Sequence, residues 1–337
     1  KYAVAVSNGT AALHLANLAM GTKSAAKIIT SPITFLATSN SVLYAGGHPV
    51  FADISDGLFT LDPKRVKKLI SDEIGIKGII PVHLGGVVCD MEALSEIAKE
   101  HNLWIIEDAC HALGGSWTDK KGNIHIVGDC SHSDMTIFSF HPVKQITTGE
   151  GGAITTNDKK LYENLIKLRT HGIEKNTDKL IENHGGWYYE MQDLGYNYRI
   201  TDFQAALGIV QLKKNDKWVQ RRRDLVRKYD KAFENINKIT PQSHPDIEGG
   251  YSYHLYVIQC ERRAELYQLL KEEGINTQVH YIPIHLQPYY KEKYGYRRGD
   301  FPLAEKYYEN ALSLPLYPTL KDSEQAEVIA AIERFYS

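Results

Sequence analysis

Two residues pose the chemical question: Asp108, which ends the apolar run LWIIED, and Lys144, which follows the apolar run MTIFSF. Both runs read as buried strands, so both side chains are expected at one rim of a parallel sheet, the end where ligands of open α/β sheets sit. A carboxylate and an amine at a shared rim form either a structural ion pair or a working pair, and the two residues alone do not choose. Asn8-Gly9-Thr10 stands at the start of an apolar helix. Free backbone N–H groups and the helix dipole favour a phosphate there, although Thr10 could serve only as an N-cap. Ser139 alternates with Phe138 and Phe140, which brings a further hydroxyl near the same rim. The glycines of TTGEGG, just after Lys144, lead into a strand and lack the GxxxxGK[ST] pattern, so they serve a tight loop and not a nucleotide P-loop.

The elements that must hold these residues alternate in the way of a parallel-sheet α/β protein. Lys27–Thr30, PVFADI, GIIPVHL, LWIIED, MTIFSF and GGAITTN read as strands. Asp62-Pro63 starts a helix with Val66, Leu69, Ile70 and Ile74 on one face. Met91, Leu94, Ile97 and Ala98 mark another, ended by His101-Asn102. From Thr201 to about Ile236 the pattern predicts one long helix or a helix pair, with Arg221–Arg223 on a solvated face. Beyond it, HLYVIQC and NTQVHYI read as strands, Ala264–Glu273 as a helix, and a last helix carries Val328, Ile332 and Phe335 behind a capping box of Asp322 and Gln325. The expected division is a large α/β domain over 1–200 and, over 201–337, a linking helix with a small α+β domain.

Composition narrows the class. The 337 residues hold 39 Lys+Arg against 41 Asp+Glu, a net charge of −2, which offers no basic field for nucleic acid. With 43% hydrophobic residues, a mean hydropathy of −0.35 and no long apolar run, an integral membrane protein is excluded. Four cysteines without a CxxC pair fit a reduced, cytoplasmic setting. Cys110, His111, Cys130 and His132 lack paired-ligand spacing, so no metal is expected. The chain opens on a strand and not on Met, and we expect a segment before Lys1.

A phosphate site, an acid for a ring nitrogen and a strand-end lysine together match the needs of pyridoxal 5′-phosphate. SPITFLATSNSVLYAGG, IIEDACHALGG, IFSFHPVKQITTGEGGAITTND, LGYNYRITDFQAALG and NTQVHYIPIHLQPYY resemble the DegT/StrS-type sugar aminotransferases of pyridoxal-phosphate fold type I, over nearly the whole chain. The resemblance implies a mostly parallel central sheet with helices on both faces, a smaller C-terminal α+β domain, and a homodimer with shared active sites. It implies that Lys144 binds the cofactor covalently, Asp108 pairs with the pyridine nitrogen, His111 lies near the ring hydroxyl and Phe35 stacks on the ring. Gly9, Thr10 and Ser139 are then the phosphate ligands, joined by Asn197 from the neighbouring subunit. His280, Tyr281 and Pro283 fall in the segment that lines the sugar-nucleotide site.

The implied reaction moves an amino group from L-glutamate to a nucleotide-linked 4-keto-6-deoxy sugar, in two half-reactions. The rivals are a sister enzyme acting at another position or sugar, and a non-catalytic regulatory protein that keeps the fold. A pyridoxal-phosphate sugar dehydratase is disfavoured, because such enzymes are expected to carry histidine where this chain has Lys144. A Rossmann oxidoreductase lacks its GxGxxG after a strand.

Overall fold

The computed structural model describes residues 1–243 and 250–337. Its centre is a seven-stranded sheet built from β1 (Tyr2–Val6), β2 (Lys27–Thr30), β3 (His48–Phe51), β4 (Ile76–Ile80), β5 (Trp104–Asp108), β8 (Met135–Ser139) and β9 (Gly152–Thr156), in the order β1-β9-β8-β5-β4-β2-β3. A short hairpin, β6 (Ser116–Thr118) with β7 (Ile124–Ile126), lies outside it. Only β9 runs against the other six strands of this sheet.

Consecutive residues explain why both faces are covered. Ile28, Ile80 and Ile106 point into a core with α1 (Gly9–Ala19) and α5 (Lys159–Arg169), whereas Ile29, Ile79 and Ile105 point into a core with α3 (Pro63–Asp72) and α4 (Met91–Glu100). Strands buried on both sides read as unbroken apolar runs, and side chains alternate between the two cores. α2 (Leu36–Tyr44) carries Val42 into the first of them.

Beyond β9 the chain forms a two-stranded ribbon, β10 (Ile173–Glu174) with β11 (Glu190–Met191), and then α6 (Asp202–Leu212) and α7 (Asn215–Phe233). A separate core joins α7, α8 (Arg263–Glu272) and α11 (Asp322–Tyr336) to an antiparallel sheet of β12 (Ile239–Pro241), β13 (Tyr256–Cys260) and β14 (Ala311–Leu314). α9 (Pro288–Tyr294) and α10 (Pro302–Asn310) lie between that core and the large sheet, where Tyr290 packs on Phe51 and Tyr307 on Phe59.

Several sequence expectations need correction. Arg222 in α7 is only 3% exposed and donates to the carbonyls of Tyr253, His254 and Leu316 at 3.2, 3.2 and 2.8 Å. Arg221 and Arg223 likewise bond the carbonyls of Leu320 and Tyr251. The arginine run is a stitch for loop carbonyls that have no strand partner, and not a solvated face. NTQVHYI forms no strand: only Gln278 pairs, with Ser313 on the outer edge of β14, and the residues after it leave that edge for the cavity, where His280 and Tyr281 stand. Pro81 ends the strand in GIIPVHL, at Ile80. α3 ends at Asp72, so Ile74 leaves the helical phase and is 93% exposed. At α11 the Glu324 carboxylate, not Gln325, accepts the Lys321 N–H; Gln325 is buried and Asp322 pairs with Arg221 and Lys228.

Candidate active site

The carboxyl ends of β1, β5 and β8 open into a cavity of about 630 Å³, and most of the residues expected to do chemistry line it. Gly9, Thr10, Phe35, Asp108, His111, Ser139, Lys144, His280 and Tyr281 are in its walls. Pro283 is buried behind the wall and Asn197 is exposed, and neither reaches the cavity of its own chain.

Asp108 is fixed from several sides. Its Oδ2 accepts from Thr38 Oγ1 at 2.7 Å and its Oδ1 from the Cys110 N–H at 3.2 Å. Its backbone N–H donates to Pro81 and its carbonyl accepts from the His83 N–H, so β5 is held to the segment after β4 beyond the last strand residue. On the other face of β5, buried Glu107 receives His83 Nε2 at 2.9 Å and Thr136 Oγ1 at 2.9 Å, which locks the strand between its two neighbours. A carboxylate with such orienting donors suits a protonated ring nitrogen.

Lys144 sits in the turn after β8, and its neighbour Gln145 ties that turn to the His111 carbonyl at 2.5 Å. Burial of the amine lowers its pKa, against the opposing pull of Cys110 and Asp108. Desolvation thereby raises the neutral fraction that a nucleophile or proton carrier needs. His111 is buried, and burial together with Lys144 and His280 holds its pKa well below the usual histidine value, so the ring is neutral. His280 is lowered to about 4 by burial and by Lys144.

The phosphate end is built from α1. Asn8 caps the helix, accepting from the Ala11 N–H at 2.8 Å, so the N-cap is Asn8 and Thr10 belongs to the first turn. The Gly9 and Thr10 N–H groups have no partner within the helix and face the cavity. A side chain on Gly9 would put its Cβ 3.0 Å from Ser139 Cβ and 3.4 Å from Cys110 Sγ. Glycine therefore keeps the cradle open between helix and strand.

These residues fit pyridoxal phosphate: donors for a phosphate, an oriented carboxylate for the ring nitrogen, a desolvated amine, and Phe35, 57% exposed at the cavity, as a cover for a flat ring. Sequence reasoning missed three wall residues. Thr38 orients Asp108 from within the first turn of α2, and Tyr198 Oη meets His14 Nδ1 at 3.3 Å. His14 is 5% exposed and leaves Nε2 without a partner. Nothing local distinguishes a threonine or histidine on a helix as a site residue; only the adjacency of Tyr198 to Asn197 hinted at it. Among the described residues no group of three His, Cys, Asp or Glu could hold a metal ion, and no helix is long and apolar enough to cross a membrane.

Fold and site define a pyridoxal-phosphate-dependent transaminase, and aligned solved structures carry the cofactor in its pyridoxal or pyridoxamine form. The chain belongs to the DegT/DnrJ/EryC1/StrS aminotransferase family, whose pattern matches residues 1–333. It is 41% identical over 340 residues to the spore coat polysaccharide biosynthesis protein SpsC of Bacillus subtilis, covering 98% of this chain and 85% of that one. It is 39% identical over 334 residues to the UDP-4-amino-4,6-dideoxy-N-acetyl-beta-L-altrosamine transaminase of Campylobacter jejuni, covering 96% and 83%. The solved structure of Helicobacter pylori PseC, an aminotransferase of pseudaminic acid biosynthesis, superposes with a TM-score of 0.87 at 30% identity, covering 100% of this chain and 87% of the other.

Proposed function

We propose that this transaminase moves an amino group from L-glutamate to C4 of a UDP-linked 4-keto-6-deoxy sugar, for pseudaminic acid or a similar surface glycan. The observation that carries the reading is the meeting of Lys144, Asp108 and the α1 N-terminus at one cavity. The sugar assignment is supported by the names of the Campylobacter and Helicobacter relatives. The cavity is large enough for a cofactor with a sugar beside it.

When bound, pyridoxal phosphate supplies an electron sink for the carbanion left when the donor loses its α-proton. Asp108 keeps the ring nitrogen protonated. Lys144 holds the cofactor through its amine and, once free, carries the proton away from the donor carbon, a task that a depressed pKa serves. Gly9, Thr10 and Ser139 hold the phosphate, Phe35 covers the ring, and His280 and Tyr281 face the sugar.

The working unit in this proposal is a cytoplasmic homodimer in which Asn197 reaches the neighbouring cavity. Its support is α6, which has no buried residue although it carries Phe203, Leu207 and Val210 along one side. α6 also touches the turn after Lys144, with Gln211 Oε1 accepting from the Thr147 N–H at 3.4 Å, so a partner on α6 would stand beside the cavity. The division of the chain near residue 200 belongs to the same proposal and is supported by the separate core around α7, α8 and α11.

The test is the visible spectrum of the reconstituted protein beside Lys144→Ala, before and after L-glutamate. The parent is expected to show a cofactor band that glutamate converts and that borohydride fixes to the chain. Lys144→Ala is expected to retain no reducible linkage and to lose at least about 10³-fold in amine transfer. A parent that binds the cofactor but does not respond to glutamate would overturn the reading.

A further inference from the structure

His111 makes two hydrogen bonds that settle where its proton lies. Its Nδ1 is 3.3 Å from the Gly85 backbone nitrogen, which can only donate. Nδ1 therefore accepts, and in a neutral ring the single proton sits on Nε2. Gly85 is committed to this place: its φ is +69°, and a Cβ there would come within 2.8 Å of Gln242 Oε1. His111 Nε2 lies 3.2 Å from Tyr281 Oη. With the proton on Nε2, the histidine donates and the phenol accepts, which leaves the Tyr281 O–H to donate elsewhere.

Among the described residues that O–H has no acceptor of its own, and it stands at the cavity. Tyr281 lines the cavity, its ring lies 6.1 Å from the His111 ring and 6.0 Å from the Phe35 ring, and burial raises its pKa so that it stays a phenol. The other groups nearby are engaged: both Asp108 oxygens already accept, from Thr38 and from the Cys110 N–H, both His111 ring nitrogens are bonded, and Lys144 works on carbon and nitrogen. Amine delivery to a ketone needs its carbonyl polarised, and a neutral fixed donor does this without a charge that would protonate the incoming amine.

We propose that Tyr281 donates a hydrogen bond to the carbonyl oxygen of the keto substrate, and that His111, held in its Nε2–H form by Gly85, is the residue that aims it. The inference rests on the aminotransferase reading and adds the donor for its second half-reaction.

Tyr281→Phe removes the O–H and keeps the ring, so the contacts with His111 and Phe35 persist. The half-reactions are followed separately by absorbance, with L-glutamate for the first and a UDP-linked 4-keto-6-deoxy-N-acetylhexosamine for the second. The ketone step is expected to slow by about 10²-fold, the size of effect seen when one preorganised donor is lost. The glutamate step and the resting spectrum should hardly change. Equal slowing of both steps, or no slowing of the ketone step, overturns the proposal. So does a changed resting spectrum, which would mean that the donor serves the cofactor's phenolic oxygen. A readout independent of turnover is ¹⁵N NMR of histidine-labelled apoprotein, with His111 assigned through His111→Gln. A proton on Nε2 is expected, and one on Nδ1 overturns the aiming argument. A parent that fails to respond to glutamate is a separate result, which removes the aminotransferase reading itself and the proposal with it.

Discussion

α1 and α6 are both apolar helices of 11 residues, yet one is buried from Gly9 to Asn17 except at Thr10 and the other has no buried residue. α1 runs against the sheet between β1, β8 and α5, so its small residues Ala11, Ala12 and Ala16 can press on strands. α6 has Phe203 at 91% exposure and bonds the turn after Lys144 through Gln211, which accepts from the Thr147 N–H. The contrast separates two parts of the proposed active site: a phosphate cradle whose helix is buried inside this chain, and beside it a helix whose apolar side chains are exposed. Contiguous apolar surface of this kind marks a place for a partner.

The sharpest way to break this contrast is to place a charge on each helix. Ala12→Asp should cost at least about 3 kcal/mol by burying an unpaired carboxylate, and so greatly lower the thermal midpoint. Phe203→Asp should leave the midpoint of the isolated chain nearly unchanged while converting dimers to monomers in sedimentation and removing most activity. If both substitutions destabilise the chain equally, the contrast fails.

Next in size is the cradle itself. Gly9→Val fills the gap to Ser139 and Cys110, and cofactor affinity, read by titration of the apoprotein, should fall by about tenfold or more while the dimer persists. Glu107→Gln tests the strand lock behind Asp108. It replaces a carboxylate that accepts from His83, Ser133 and Thr136 with an amide, and should cost about 1–3 kcal/mol in denaturant unfolding. An unchanged midpoint would show that the lock does not hold β5.

The smallest effect is a matter of pH. His280 has a folded pKa of about 4 against an ordinary 6.5, so between these values the unfolded chain binds a proton that the folded chain does not. Stability is therefore fully present above about 6.5 and is lost as pH falls toward 4. His280→Gln should reduce that slope by up to about one proton, measured as the change of unfolding free energy with pH. A steeper slope in the variant would reverse the assignment.

Much of the fold and the cavity was legible because it rests on local rules. LWIIED and MTIFSF had to be strands buried on both faces, and strand ends place Asp108 and Ser139 at one rim. Gly9 at a helix start and Lys144 after a strand then carried their own chemistry. The arginine run was misjudged because charge predicts solvation, whereas three loop carbonyls around Arg222 supply what water would. NTQVHYI was misjudged because an alternating segment makes a strand only where it stays beside a strand edge, and this one leaves β14 after the single Gln278–Ser313 bridge.

By itself, the sequence determined the parallel sheet, the helix that begins at Gly9, the residues suited to the cofactor and the family they belong to. The first three follow from periodicity, from strand ends and from side-chain chemistry, all of which are local, and the family follows from the resemblance of whole segments. Only the tertiary structure decided that Thr38 orients Asp108, that Gly85 sets the His111 proton and so turns Tyr281 into a donor, and that α6 finds no cover in its own chain. Each of these is a meeting of residues far apart along the chain, and a hydrogen bond or a buried face exists only once folding has brought both of its halves together.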